Sequence, residues 1–210
     1  MKHKGILIVV SGFSGVGKGT LMRELLHTYD NYALSVSMTT RKPREGEQEG
    51  VSYFFVDKET FERTIAQDGL VEYAEYCGNY YGTPKQYVES CLEQGKDVIL
   101  EIEIQGAMKV KERFPQSLLL FVMPPDAQEL RRRLAGRGTE EEAVIRRRLE
   151  RAKEESKGIE NYEYIIINDD LEACVREMHA IITAARRAPG RNEQFIADIR
   201  SGLDALVKGE

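Results

Sequence analysis

Val10-Ser11-Gly12-Phe13-Ser14-Gly15-Val16-Gly17-Lys18-Gly19-Thr20 is the stretch whose reading decides the fold. Five apolar residues, Ile6 to Val10, lead into it, and the helical pattern Leu21-Met22-Arg23-Glu24-Leu25-Leu26 leaves it. Strand, glycine-rich loop, lysine and helix in that order predict a phosphate-binding loop. A polyphosphate needs several backbone N–H groups aimed at one point, and glycine lets the chain wrap that closely. The helix starting near Lys18 offers its unpaired N–H groups and positive dipole end, and Lys18 adds a mobile charge for the β- and γ-phosphates. The motif usually places a hydroxyl directly after the lysine. Here that position is Gly19, and the hydroxyl arrives one residue later at Thr20, so no direct Mg²⁺ ligand is assigned.

The chain has 210 residues and a net charge of −5. That length suits one compact unit with mobile inserts, burying roughly 70% of its unfolded surface. Cys77, Cys91 and Cys174 match no metal or disulfide spacing, which predicts a reducing, cytoplasmic setting. The apolar run after Lys2-His3-Lys4 is too short for a leader and reads as the first strand. No segment approaches the length of a membrane helix. The acidic balance does not suggest nucleic-acid binding, so positive charge must be concentrated locally.

Ile6–Val10, Val98–Ile102, Leu118–Met123 and Tyr164–Ile167 read as four buried parallel strands separated by helical patterns. The expected class is α/β, a phosphate-loop core of parallel strands flanked by helices. Residues 35–56 and 70–82 alternate instead, with a helix over Lys58–Gln67 between them. They predict a small mixed insert at about 36–90. Within it Tyr73, Tyr76 and Tyr80 read as packing residues. Asp126 caps a helix to about Leu134, and Thr139 is the expected N-cap of a second one running to about Lys157. A further helix runs from Asp170 to about Arg187. Residues 188–191 form a linker to an amphipathic helix over 192–207, whose apolar face is expected to pack on the core, with a subunit contact as the alternative.

Three further stretches narrow the reading: Ser35-Val36-Ser37-Met38-Thr39-Thr40-Arg41-Lys42-Pro43-Arg44-Glu45-Gly46-Glu47, Val71-Glu72-Tyr73-Ala74-Glu75-Tyr76-Cys77-Gly78-Asn79-Tyr80-Tyr81-Gly82-Thr83, and Arg133-Leu134-Ala135-Gly136-Arg137-Gly138-Thr139-Glu140 with Arg148-Leu149 and Ile167-Asn168-Asp169-Asp170 beyond. With the loop, over about residues 5–187, they closely resemble the guanylate kinases, which phosphorylate GMP with ATP. The resemblance implies a phosphate-loop core at 1–35 and 91–187 that carries a helical lid at about 126–157, a GMP-binding insert at 36–90, and 188–210 outside the family pattern. It implies that Arg41, Arg44, Tyr53 and Tyr81 hold the GMP phosphate, and that Ser37, Glu72, Thr83 and Glu101 read guanine. Gly12 to Thr20, with Lys18, would hold the ATP phosphates. Arg133, Arg137 and Arg148, together with Lys18 and Arg41, would act at the transferring phosphoryl group. Arg137 and Asn168 would lie near adenine, and Mg²⁺ would accompany ATP.

The chemistry agrees with these residue types. The GMP phosphate is already an anion and needs no general base, so catalysis rests on positioning and charge stabilisation. Arginine grips phosphate oxygens bidentately. A carboxylate at Glu72 accepts from both N1–H and the 2-amino group of guanine, whereas adenine offers it a bare acceptor. Glu101 and Glu103 share one strand face and could organise Mg²⁺ through waters, although the family more often carries Asp at the second position. Arg131-Arg132-Arg133 and Arg146-Arg147-Arg148 lie on helices, so one site cannot use all of either run, and at least half of them read as solvated. Two rivals remain: a noncatalytic interaction module of the same fold, which typically lacks the phosphate loop kept here, and a related kinase with another nucleotide acceptor, against which Glu72 and Ser37 argue.

Overall fold

The computed structural model describes residues 4–76, 78–136 and 142–208, and only the backbone of Tyr76. The apolar run before the loop forms β1 (Leu7–Gly12), buried from Leu7 to Ser11. It lies in parallel between β7 (Asp97–Glu101) and β8 (Leu118–Met123). Outside these run β2 (Tyr32–Leu34) beside β7 and β9 (Tyr164–Ile167) beside β8, giving the order β2-β7-β1-β8-β9. Leaving β1 the chain passes to β2, beyond β7, and leaving β7 it passes to β8, beyond β1; such a reversal of direction marks the carboxyl ends of adjacent strands as the place where open α/β sheets bind ligands.

Two expectations about this sheet are corrected. β2 was not anticipated, because three residues with only Tyr32 buried give no apolar run to read. β9 is a strand, but not a buried one: Tyr164, Ile165 and Ile167 are exposed and only Ile166 is buried. As an edge strand it has a single neighbour, and three of its four residues stay accessible.

The loop-following helix α1 (Lys18–Thr28) packs on β1, β2 and α7 (Leu171–Ala185), whose N-cap Asp170 accepts from the Ala173 N–H at 2.8 Å. A second sheet, in the order β4-β3-β6-β5, is built from β3 (Met38–Thr39), β4 (Phe54–Phe55), β5 (Leu70–Tyr76) and β6 (Asn79–Pro84). β5 and β6 form an antiparallel hairpin; β3 runs antiparallel to β6 and parallel to β4. Its helix α2 (Lys58–Ala66) is capped by Asp57, which accepts from the Thr60 N–H at 2.7 Å, and buries Phe61 against the Tyr80 ring. The two sheets are joined through α3 (Lys85–Glu93), which packs on β5, β6 and β7, and α4 (Ile104–Arg113), which packs on β1 and β5.

After β8, Asp126 caps α5 (Ala127–Ala135) by accepting from the Glu129 N–H at 2.7 Å. Helix α6 (Glu142–Glu155) packs on α5 and ends in a 3-10 segment, Ser156–Asn161. The expected cap Thr139 lies outside the described residues. The linker at 188–191 is a single turn fixed by Arg191, which donates to the Gln116 carbonyl at 3.0 Å, and by Asn192, which donates to the Ala188 carbonyl at 2.9 Å. Beyond it, α8 (Glu193–Lys208) corrects a further expectation. None of its residues is buried, and Phe195, Ile199, Leu203, Leu206 and Val207 are exposed, so its apolar face does not pack on the core. No helix among the described residues is long and apolar enough to cross a membrane.

Candidate active site

The phosphate loop is shaped by what its glycines allow. Gly15 and Gly17 take left-handed backbone angles, φ +83° and +96°. A Cβ on Gly12 would stand 2.4 Å from the Val122 carbonyl oxygen, and one on Gly17 would stand 2.7 Å from Asn168 Nδ2. Phe13 is buried, its ring edge-on to Phe121 at 5.2 Å. Ser11 Oγ donates to the Ile102 carbonyl at 2.7 Å, tying the ends of β1 and β7 together. Lys18 Nζ curls back to donate to the Gly12 carbonyl at 2.7 Å and the Phe13 carbonyl at 3.2 Å. Desolvation lowers the Lys18 pKa, and the Glu101 and Glu155 carboxylates oppose that shift. Gly17→Ala, which adds both a clash and a disfavoured φ, should therefore weaken ATP binding by about tenfold or more while GMP binding stays close to the parent's, read by calorimetry of each nucleotide. Equal ATP affinity would show that the loop does not need this geometry.

Side chains from distant elements brace the loop. Arg133 Nη1 and Asn168 Nδ2 both donate to the Val16 carbonyl, at 3.1 and 2.8 Å. Arg133 is also held by Glu129 at 2.6 Å, and Arg148 Nη2 donates to Ser14 Oγ at 2.8 Å. Asn168 is buried, with its amide committed to the loop. Thr20 is exposed, and nothing stands within 4 Å of where a Cβ on Gly19 would lie. Arg137 lies outside the described residues. Beside the loop is a cavity of about 290 Å³ lined by Ser14, Lys18, Glu101, Glu103, Arg151 and Glu155, among others.

A second cavity of about 310 Å³ opens towards the smaller sheet, lined by Ser35, Ser37, Ser52, Tyr53, Thr83 and Glu101, among others. Glu101 and Ile102 line both cavities, so the two meet at the end of β7. Glu101 opens to solvent there, yet desolvation by its surroundings raises its pKa while Lys18 opposes the shift. Deeper, Glu72 is only 8% exposed, and its Oε1 accepts from Thr83 Oγ1 at 2.9 Å. The hairpin register shifts between Leu70 and Tyr73, so Leu70, Val71 and Glu72 are all buried and alternation is broken. The same bulge leaves Tyr73 exposed, correcting its expected packing role, whereas Tyr80 stacks on Phe61 as expected. Burial raises the Glu72 pKa, and Thr83 partly offsets this. Gly106 of α4 leaves room beside the carboxylate: a Cβ there would stand 3.6 Å from Glu72 Oε2.

Arg41, Tyr53 and Tyr81 gather at the rim of this second cavity. The Arg41 guanidinium lies 5.4 Å from the centre of the Tyr53 ring, which meets Tyr81 at 6.1 Å. Arg41 is gripped in a two-pronged pair by Glu47, at 2.7 and 3.0 Å, and Glu47 also accepts from the Arg44 backbone N–H at 2.8 Å. The Arg41 pair holds Glu47 below the usual carboxylate range, and the same pair raises the Arg41 pKa. The Arg44 side chain is exposed beside them.

A family model described as guanylate kinase matches residues 4–185. The chain is 54% identical over 183 residues to a guanylate kinase of Halalkalibacterium halodurans (strain ATCC BAA-125 / DSM 18197 / FERM 7344 / JCM 9153 / C-125), covering 87% of this chain and 90% of that one. It is 49% identical over 197 residues to one of Latilactobacillus sakei subsp. sakei (strain 23K), covering 93% and 97%. A crystal structure of guanylate kinase from Anaplasma phagocytophilum superposes with a TM-score of 0.70 at 35% identity, covering 90% of both chains. The chain belongs to the guanylate kinase family.

For this guanylate kinase family member, the sequence-predicted residues divide by position. The loop with Lys18, Arg133, Arg148 and Asn168 forms one group. Ser37, Tyr53, Thr83 and Glu101 line the second cavity, with Glu72 behind Thr83. Arg41 and Tyr81 stand beside Tyr53, and the exposed Arg44 lies next to Glu47, which holds Arg41. Three residues were missed by the sequence reading: Glu47, which clamps Arg41, and Arg151 and Glu155, which line the cavity beside the loop. The spacing of Arg151 three positions after Arg148 on one helical face was the available signal.

Proposed function

We propose that Glu101 marks the boundary between two nucleotide sites, with ATP phosphates on the Lys18 side and GMP on the Glu72 side. In the reaction a phosphate oxygen of GMP attacks the γ-phosphorus of ATP, the bond to the β-phosphate bridging oxygen breaks, and GDP and ADP leave. No proton need be removed from the nucleophile, so the reaction asks for positioning and charge stabilisation rather than for a general base. Lys18 and the loop N–H groups hold the ATP phosphates. Arg41, Arg44, Tyr53 and Tyr81 hold the acceptor phosphate, Ser37, Glu72, Thr83 and Glu101 read guanine, and Arg133, Arg137 and Arg148 act on the charge developing between the two nucleotides. The residues 36–90 carry the acceptor, and 126–157 close over the phosphates.

The donor set suits magnesium bound through water. Among the described residues no group of three or more His, Cys, Asp or Glu side chains could hold a metal by itself. Glu101 and Glu103 instead supply hard oxygens at the edge of the loop cavity, which fits an ion that keeps several waters and binds mainly to substrate phosphates. Magnesium neutralises phosphate charge when bound. The free thiols Cys91 and Cys174 fit a reducing cytosol.

The shared lining at Glu101 and Ile102 is the observation that carries this reading, because phosphoryl transfer needs both phosphates at one place. Transfer from ATP to each nucleoside monophosphate in turn tests it: GMP alone should be phosphorylated efficiently, and equal use of AMP would overturn the guanine assignment. Arg44→Ala should weaken GMP binding by about tenfold, since an exposed guanidinium able to grip a phosphate is lost, and leave ATP binding unchanged. Calorimetry with each nucleotide checks this, and unchanged GMP affinity would remove Arg44 from the site.

A further inference from the structure

One face of α6 reaches the core twice. Arg148 meets Ser14 of the loop, and one turn later Arg151 Nη2 pairs with Glu103 Oε2 at 3.2 Å, at the start of α4. Arg151 Nε also pairs with Glu155 Oε1 on its own helix at 2.8 Å. All three groups line the phosphate-side cavity with Lys18 and Glu101. That lining therefore holds three carboxylates against two cations, a poor balance for a polyphosphate. Entry becomes favourable only if the cations turn to phosphate and the carboxylates find another counter-charge. The side chains of Arg151 and Glu103 are each about half exposed, 54% and 49%, and ion pairs so open to water contribute little to stability. The pair is therefore not needed to hold the fold. Arg151 also stands close enough to Lys18 for its charge to act there, a smaller influence than desolvation and the neighbouring carboxylates.

We propose that Arg151 is an additional phosphate-contacting residue that exchanges partners: nucleotide phosphates draw its guanidinium away from Glu103, and the uncovered carboxylate becomes available to the water shell of magnesium. The inference rests on the reading that this cavity takes ATP phosphates. It gives a physical use to the longer glutamate at position 103, which spans to α6 where it pairs with Arg151.

Calorimetric binding of ATP to the full chain, in EDTA and again in magnesium, tests the exchange. Arg151→Gln should weaken metal-free ATP binding by about tenfold, because a fork able to grip phosphate is lost. GMP affinity and Tm should stay near the parent values, and Arg151→Lys should restore part of the ATP affinity through its charge. Glu103→Ala should strengthen metal-free ATP binding, and by a larger factor in the parent than in the Arg151→Gln background. Loss of repulsion is common to both backgrounds, so the difference isolates release of Arg151. A metal-free ATP affinity within about twofold of the parent in Arg151→Gln, or an equal gain from Glu103→Ala in both backgrounds, overturns the exchange. Failure of the parent itself to bind ATP would instead remove the nucleotide-site reading beneath it.

Discussion

Lys18→Met is expected to abolish turnover while GMP binding stays within about twofold of the parent. The lysine donates to the Gly12 and Phe13 carbonyls, at the start of the loop. With ATP bound, the ammonium would exchange those carbonyls for the β- and γ-phosphates. Methionine keeps the unbranched stem and removes the charge. The loss should reach about 10³-fold or more in kcat, the scale seen when a preorganised charge-stabilising group is removed. The lost bonds to two carbonyls should lower stability by only about 1 kcal/mol, so a folded variant is expected. Calorimetry with GMP, steady-state kinetics and a thermal melt together check this. Loss of GMP affinity comparable to that in Arg44→Ala would refute the separation into two nucleotide sites, because Lys18 does not line the second cavity.

Much of this arrangement was legible in the residues, and the exceptions have physical causes. The loop could be read because Gly12, Gly15 and Gly17 are demanded by local geometry that any sequence must satisfy. β1, β7 and β8 could be read because central parallel strands are apolar on both faces. β2 could not, since its three residues gain their place from pairing with β7, a contact across more than sixty residues of chain. Periodicity also misled at α8, where an amphipathic stripe states that a face is apolar but not what covers it. In the site, single-residue chemistry identified Glu72, but the bulge that turns it inward depends on β6 and leaves no mark on β5 alone. Glu47 and Arg151 were missed because each acts through a partner: Arg41 for the first, Glu103 on another element for the second.

Glu72→Gln should separate function from stability more sharply than any other substitution. The amide is nearly the same size and can still accept from Thr83 Oγ1, so the local packing survives. It can accept from one guanine donor but turns N–H₂ towards the other. The expected loss in kcat/KM for GMP is about 2–4 kcal/mol, roughly 30- to 1000-fold, with ATP binding nearly unchanged. Stability should move the other way. Burial raises the Glu72 pKa in the folded chain, so the stability linked to this group is fully present below the ordinary carboxylate pKa and is lost as pH rises through the raised native value. Above the raised native value the ionised side chain is a cost that glutamine removes, and Tm there should hold or rise. The same shift predicts a pH signature. As pH falls through the raised pKa, the parent loses the carboxylate that guanine needs and its KM for GMP should climb. The phosphate of GMP also titrates, near pH 6, but identically in parent and variant, so the Glu72 component is the part of the profile that disappears in Glu72→Gln. A variant that phosphorylates GMP as well as the parent, or one that keeps the parent's full acid-side rise in KM, would move guanine recognition away from Glu72.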